Sequence, residues 1–306
     1  MITVIGEALV DIIVDTDGEV TSVVGGAPLN TARTIVRLGI PATFLGGVST
    51  DSFGRRIKRL LDDDGVRLGL GHQVAEPTTL AIAQIDEGGA ATYRFLLEGT
   101  SAASVTPQMA LEHLSFDDKV IHVGTLGLVL QPLADASVAV VAAANDEQLV
   151  MVDPNCRPSV MTGSPVFRTA LQAVLARADI VKVSGDDLEF MFPGVDTLDA
   201  AAMLQIETGA VVLFTDGANA VHVMDTDADI VLAVPRVPVV DTVGAGDSFG
   251  GGFLAYWMHN GLGRDDVHNL EHAVAAATFG IAVAGVTCQR AGADPPRSNE
   301  VPGGWA

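Results

Sequence analysis

Short apolar runs alternate along this chain with longer stretches in which apolar residues recur every three or four positions. The runs at 2–5, 42–48, 119–123, 148–152, 179–183, 211–215, 220–224 and 230–234 predict strands. The helical spacing predicts helices over 28–38, 51–63, 132–144, 165–177, 185–191, 197–207, 245–259 and 265–284. Strands that alternate with helices build a mostly parallel sheet covered on both faces. Pro28 suits a first helical turn, and Asp51 and Ser52 supply capping groups to the next helix. Two segments break the rhythm, 10–24 and 72–99. Both carry period-two patterns and turn signals (Asp17-Gly18 and Gly88-Gly89) with no helix between their strands. They predict a small antiparallel sheet, a lid beside a core formed by 1–9, 25–71 and 100–306. An apolar sheet face at an edge needs cover, which a second copy of the chain can provide.

The composition narrows the function classes. With 306 residues and 48% hydrophobic content, the chain can bury one large α/β core. A net charge of −21 argues against nucleic acid and anionic membrane surfaces as partners. The three lysines are Lys58, Lys119 and Lys182; none follows a Gly-x-x-x-x-Gly loop, which excludes a P-loop. Lys182 could as easily be a solvated strand residue as a functional one. A nucleotide phosphate would therefore be met by backbone amides, Mg²⁺ and an arginine. The two cysteines, Cys156 and Cys288, make neither a disulfide framework nor a metal motif. The chain opens directly on an apolar strand, and no apolar run is read as reaching membrane-spanning length, so a cytoplasmic protein is expected.

The most informative stretch is Asp241-Thr242-Val243-Gly244-Ala245-Gly246-Asp247-Ser248, between an apolar run and a glycine-rich helical pattern. A tight glycine turn into a helix leaves amides unpaired at the positive end of the helix dipole, which favours an anion. A carboxylate beside such a site is paradoxical unless it takes a proton while the amides hold charge developing on a transferred group. The competing reading is a glycine turn with Asp247 as an ordinary helix-start carboxylate.

The same stretch resembles the C-terminal motif of the ribokinase-like (PfkB) family of sugar kinases. Gly25-Gly26-Ala27-Pro28-Leu29-Asn30-Thr31-Ala32, followed by Leu38-Gly39, resembles that family's N-terminal motif, and the likeness spans nearly the whole chain. The resemblance implies a three-layer α/β/α sandwich with a β lid, ATP-dependent phosphorylation of a sugar hydroxyl, and dimerisation through the lid. It implies Asp247 as catalytic base with Gly244, Ala245 and Gly246 holding the transferring phosphoryl group. Asp11, Gly25, Gly26 and Asn30 would contact the sugar. Asp153-Pro154-Asn155-Cys156-Arg157 resembles the fructokinase and 2-keto-3-deoxygluconate kinase branches. Asn155 is then expected at the phosphate, and Arg157 is expected to clamp phosphate or a substrate carboxylate. Arg94, in the lid, is a second candidate cation for that carboxylate. Ser184 and Asp187 stand where the family usually has Asn and Glu; they are expected at nucleotide and Mg²⁺. Thr215 and Gly217 resemble the family's nucleotide loop, with Ala220 where a glycine is common. Asp241, with the carbonyls of Val243 and Ala291 to Ala293, is a candidate K⁺ site. Fructose is the first expected substrate, with 2-keto-3-deoxygluconate and ribose as alternatives. A catalytically silent sugar- or nucleotide-binding regulator on the same fold is the rival of a different class.

Overall fold

The computed structural model describes residues 1–85, 91–115, 117–226 and 228–305. Its strands are β1 (Ile2–Ile5), β2 (Leu9–Val14), β3 (Val20–Gly25), β4 (Ala42–Leu45), β5 (Arg67–Leu68), β6 (Thr79–Ile85), β7 (Ala91–Leu96), β8 (Val120–Gly124), β9 (Leu149–Asp153), β10 (Ile180–Ser184), β11 (Val211–Asp216), β12 (Ala220–Asp225) and β13 (Ala228–Ala233). Its helices are α1 (Ala27–Arg37), α2 (Ser52–Asp64), α3 (Pro107–His113), α4 (Leu133–Ala142), α5 (Pro158–Met161), α6 (Pro165–Leu175), α7 (Gly185–Met191), α8 (Thr197–Thr208), α9 (Ala245–His259) and α10 (Leu270–Thr287). The Gly88-Gly89 turn lies outside the described residues.

Nine strands form the main sheet in the order β13-β12-β11-β10-β9-β8-β1-β4-β5, and only β12 runs against its neighbours. Alternate residues of each buried strand point to opposite layers. Val4, Met151 and Leu213 face α1, α2, α9 and α10, whereas Ile5, Val150 and Val152 face α3, α4 and α6. Val181, Val183 and Val212 pack under α8. The chain steps outward from β1 in both directions, through β4 on one side and β8 on the other. A crevice opens beyond the carboxyl ends of the strands at such a switch point.

Two glycines inside α9 fit close contacts. A Cβ on Gly251 would come within 2.7 Å of Thr34 on α1, and one on Gly252 within 3.0 Å of Val283 on α10. The helix gives up propensity of about 1 kcal/mol per glycine and gains close approach to both neighbours. Gly250 has ordinary clearance, 3.6 Å to Met151.

The second sheet has the order β3-β2-β6-β7. Its two hairpins, β2–β3 and β6–β7, are antiparallel as expected and meet through a parallel pairing of β2 with β6. Asp15 closes the first hairpin, its side chain accepting from the amides of Asp17 and Glu19.

Three sequence expectations need correction. The short helices α3 and α5 were not expected; both start at proline, and four to seven residues are too few for a periodic signal. The last long helix begins at Leu270 rather than 265, because Asn269 caps it by accepting from the Glu271 amide. That helix is also, by length and composition, apolar enough to cross a membrane. Here its Ala- and Val-rich stripe packs against α9 and the sheet, with Ala273, Ala276 and Ala277 buried in the core.

Candidate active site

The crevice at the switch point is a cavity of about 1080 Å³, walled by the core strand ends on one side and the second sheet on the other. It brings together Asp11, Gly25, Gly26, Asn30, Asn155, Arg157, Asp241, Val243, Gly244, Gly246 and Asp247, which lie far apart in sequence.

Asp247 sits in the first turn of α9 and is buried, only 7% exposed. One carboxylate oxygen accepts from Asn30 Nδ2 at 2.9 Å and the other from Asn155 Nδ2 at 3.4 Å. Two neutral amides thus fix the rotamer and leave each oxygen lone-pair capacity for a further proton. Burial raises the pKa of Asp247, opposed by the Asn30 bond, the charges of Lys182 and Arg157, and the Asn155 bond. Asn155 adopts a left-handed conformation (φ 39°), strained for a non-glycine residue. Its own carbonyl and side-chain oxygen both accept from Arg157 Nη1, at 3.0 and 2.7 Å.

The glycine turn has the expected shape, with one revision. Gly244 caps α9 in the left-handed region (φ 77°), and a Cβ there would strike Ala293 at 2.6 Å. The Ala245 amide, expected to face the anion, instead donates to the Thr242 carbonyl at 3.2 Å and closes the turn. Gly244 and Gly246 line the cavity.

The second sheet presents alternate residues to the cavity. Leu9, Asp11 and Ile13 of β2 face inward with Val23 and Gly25 of β3, Ala83 of β6 and Phe95 of β7. Asp11 needs the glycine beside it: a Cβ on Gly25 would stand 2.4 Å from Asp11 Oδ2. Burial lifts the Asp11 pKa to about 6, against the pull of Arg157. Period-two alternation turns Arg94 to the opposite face from Phe95. It is exposed and does not line the cavity, contrary to the expected substrate contact.

Two residues that the sequence did not single out also line the cavity. Glu7, in the link from β1 to β2, is buried with Oε2 unpartnered. Burial raises its pKa to about 8; hydrogen bonds from its own amide and that of Ala27, and Arg157, counter this incompletely. Lys182, for which a solvated position was one open reading, is buried on β10 and pairs with Asp153 on β9 at 3.0 Å. Burial alone would lower the Lys182 pKa; Asp153, Asp187 and Asp247 raise it overall. The adjacent strand ends explain the pairing, because Gly124, Asp153 and Lys182 fall in neighbouring registers.

The expected nucleotide residues lie on the same sheet edge, outside this cavity. Ser184 and Thr215 are register partners at the ends of β10 and β11, and Gly217 turns at φ 52° just beyond. Ser184 caps α7, its hydroxyl accepting from the Asp187 amide at 3.2 Å. Asp187 is engaged differently from the expectation of a metal ligand. One oxygen accepts from the Cys156 amide at 2.6 Å; the other accepts from the amide and hydroxyl of Ser184 at 2.8 and 2.6 Å. Its carboxylate locks the loop after β9 onto the start of α7. Among the described residues no cluster of three or more His, Cys, Asp or Glu could hold a metal ion. Asp241 ties two loops together, accepting from the Val243 amide at 3.0 Å and the Gly292 amide at 2.8 Å. The Ala293 carbonyl, one of the expected K⁺ ligands, accepts from Arg33 Nη1 at 2.9 Å, which puts a fixed positive charge at that position.

Known proteins resemble this chain in sequence and fold. The model of the pfkB family carbohydrate kinases matches residues 1–300. A fructokinase of Rhizobium leguminosarum bv. trifolii is 33% identical over 277 residues, covering 89% of this chain and 84% of the relative. Fructokinase-1 of Oryza sativa subsp. japonica is 29% identical over 281 residues, covering 90% and 86%. Among solved structures, the fructokinase of Xylella fastidiosa with bound ATP superposes with a TM-score of 0.83 at 26% identity, covering 95% of this chain and 93% of that one. The fructokinase of Vibrio cholerae O395 in its fructose, ADP and calcium ion bound form gives 0.81 at 26% identity, covering 95% and 94%. A buried aspartate at a glycine turn, an open cavity under a second sheet, and a family model that matches nearly the whole chain converge: the chain belongs to the pfkB family of carbohydrate kinases and is a sugar kinase.

Proposed function

We propose that this kinase phosphorylates fructose on a primary hydroxyl, with Asp247 as the base. The observation that carries the reading is the placement of Asp247: buried, oriented by Asn30 and Asn155, beside an anion-favouring turn and in one cavity with Asp11. The sugar lies against Asp11, the Gly25-Gly26 backbone and Asn30, beneath the second sheet acting as a lid. Asp247 takes the proton of the attacking hydroxyl. That oxygen forms the new bond to the γ-phosphorus of ATP as the bond to the β-phosphate oxygen breaks, and ADP leaves. The amides at Gly244 and Gly246 hold charge on the transferring group. Arg157 orients Asn155 and adds positive charge to the cavity. Ser184, Thr215 and Gly217 flank the nucleotide along the sheet edge.

Mg²⁺ enters this reading bound to the triphosphate, since both oxygens of Asp187 already accept hydrogen bonds that hold the loop after β9 to α7. K⁺ at Asp241 and Val243 would stabilise the glycine turn through the same loops. A homodimer closed through the lid, and a cytoplasmic location, complete the proposal. Fructose is favoured over 2-keto-3-deoxygluconate by the cavity's own charge. Asp11, Asp241 and Asp247 line the space, Lys182 is already paired with Asp153, and with Arg94 outside it a substrate carboxylate would face Arg157 among three acidic groups. The test is ADP release from ATP and Mg²⁺ across fructose, 2-keto-3-deoxygluconate, ribose, glucose and adenosine. Turnover on fructose that vanishes in Asp247→Asn supports the reading. Turnover on another sugar replaces the substrate, and no sugar-stimulated ADP refutes both substrate and base.

A further inference from the structure

This site must accept a highly negative triphosphate in a chain that is itself strongly acidic and has no P-loop lysine. Among the described residues, Arg157 and Lys182 are the arginine and lysine lining the cavity. Arg157 Nη1 is already engaged by the oxygens of Asn155 and the Cys156 carbonyl. Lys182 is placed differently. Its Nζ lies only 3.0 Å from the point where a Cβ on Gly246 would stand, so the ammonium stands beside the glycine turn itself. Asp153 holds it there from the neighbouring strand at 3.0 Å, with both side chains buried. The other oxygen of Asp153 is buried without a partner. Burying an ion pair gains little stability, and apolar residues of similar size in a strand interior serve folding as well or better. A pair retained directly behind an anion-favouring turn calls for a reason at the turn.

We infer that Lys182 is a positioning residue for phosphoryl transfer: held by Asp153, its ammonium stands behind Gly246 and adds the positive potential that draws the triphosphate onto the turn. Acting through the turn, it also offsets the acidic groups gathered around Asp247. The nearby Gly246 has no side chain to keep the ammonium away, and a Cβ there would meet it. The inference deepens the assignment of the turn as the phosphoryl site and rests on it.

Lys182→Met alone leaves Asp153 buried and unpaired, a change that can prevent folding. The decisive variant is therefore Lys182→Met/Asp153→Asn, in which neither charge remains. It is compared with wild type in three measurements: sugar-dependent turnover, fructose binding, and ADP binding by calorimetry. The expected result is kcat lower by about 10²-fold, ADP binding weaker by about tenfold, and KM for fructose within about threefold of wild type. Wild-type kcat and ADP affinity in the folded double variant would overturn the inference. Parallel loss of fructose binding and turnover, or failure of the charge-free pair to fold, would also overturn it, because each marks a structural role. If wild type itself turns over no sugar in the panel, the kinase assignment of the cavity fails. The ADP measurement still tests Lys182 in that case.

Discussion

Replacing Glu7 by Gln tests the electrostatics of the cavity. Glu7 is buried, its Oε2 has no partner, and its pKa rises from 4.5 to about 8. In the unfolded chain the group loses its proton near 4.5, so between these two values the folded state holds a proton that the unfolded state has released. Stability is complete below about 4.5 and declines as pH rises, until the folded group ionises near 8. The shift of about 3.5 units, at about 1.4 kcal/mol each, sets an upper limit of about 5 kcal/mol, of which about 3 kcal/mol is lost by pH 7. Glu7→Gln has the shape of the protonated acid and no titration, so it escapes this loss. Its cost is one extra N–H beside Oε2, about 1 kcal/mol. Wild type should be the more stable below about pH 5.5 and the variant above it. At pH 7 the variant's urea midpoint should be higher by roughly 1 M for a slope of about 3 kcal/mol/M. The assay is urea unfolding of both proteins from pH 5 to 8.5, where their difference cancels every other titrating group. A difference that does not vary with pH, or a less stable variant at pH 8, would refute the reasoning.

Other perturbations follow from the same geometry. Asp247→Asn removes the base and keeps the shape; kcat should fall by about 10²–10⁴ with fructose binding retained, read by coupled ADP assay and calorimetry. Asn30→Leu removes the strongest bond lowering the Asp247 pKa, so the acid limb of kcat/KM should move to higher pH, because the base then protonates earlier on acidification; an unmoved limb counts against Asp247 as the titrating base. Gly25→Ala drives a Cβ to 2.4 Å from Asp11 Oδ2 and should raise KM for fructose by about tenfold or more with a smaller change in KM for ATP. Gly251→Ala wedges α9 from Thr34 and should destabilise the fold by about 1–3 kcal/mol, seen as a lower unfolding temperature.

The sheet and the acid at the glycine turn were legible because their signals are local. Apolar runs mark buried strands, and Asp247 announces itself by standing beside a turn that attracts the kind of anion Asp247 should repel. Asp11 and Asn30 were legible through motif likeness, and the structure adds the contact from Asn30 to Asp247. Lys182 and Glu7 were not legible. Their burial is decided by partners distant in sequence, Asp153 on the next strand and the start of α1. Arg94 went wrong for a related reason. Neighbouring residues of a strand face opposite ways, and only the pairing with β6 determines that Phe95 looks inward. Asp187 was read as a metal ligand because it stands where the family usually has Glu, whereas here a capping box and the Cys156 amide engage its two oxygens.

The path of the chain through the first hairpin of the second sheet has a further consequence. It departs after β1 and returns at α1, and a Cβ on Gly26 would lie just 3.1 Å from Ala8 Cα. Exit and re-entry therefore touch, and residues 9–25 form an insertion spliced into one βα connection without lengthening the route of the core. A segment with touching ends can be exchanged as a cassette. Grafting the corresponding hairpin of another sugar kinase between Ala8 and Gly26 would bring a different wall to the cavity and leave the glycine turn at Asp247 on its own scaffold.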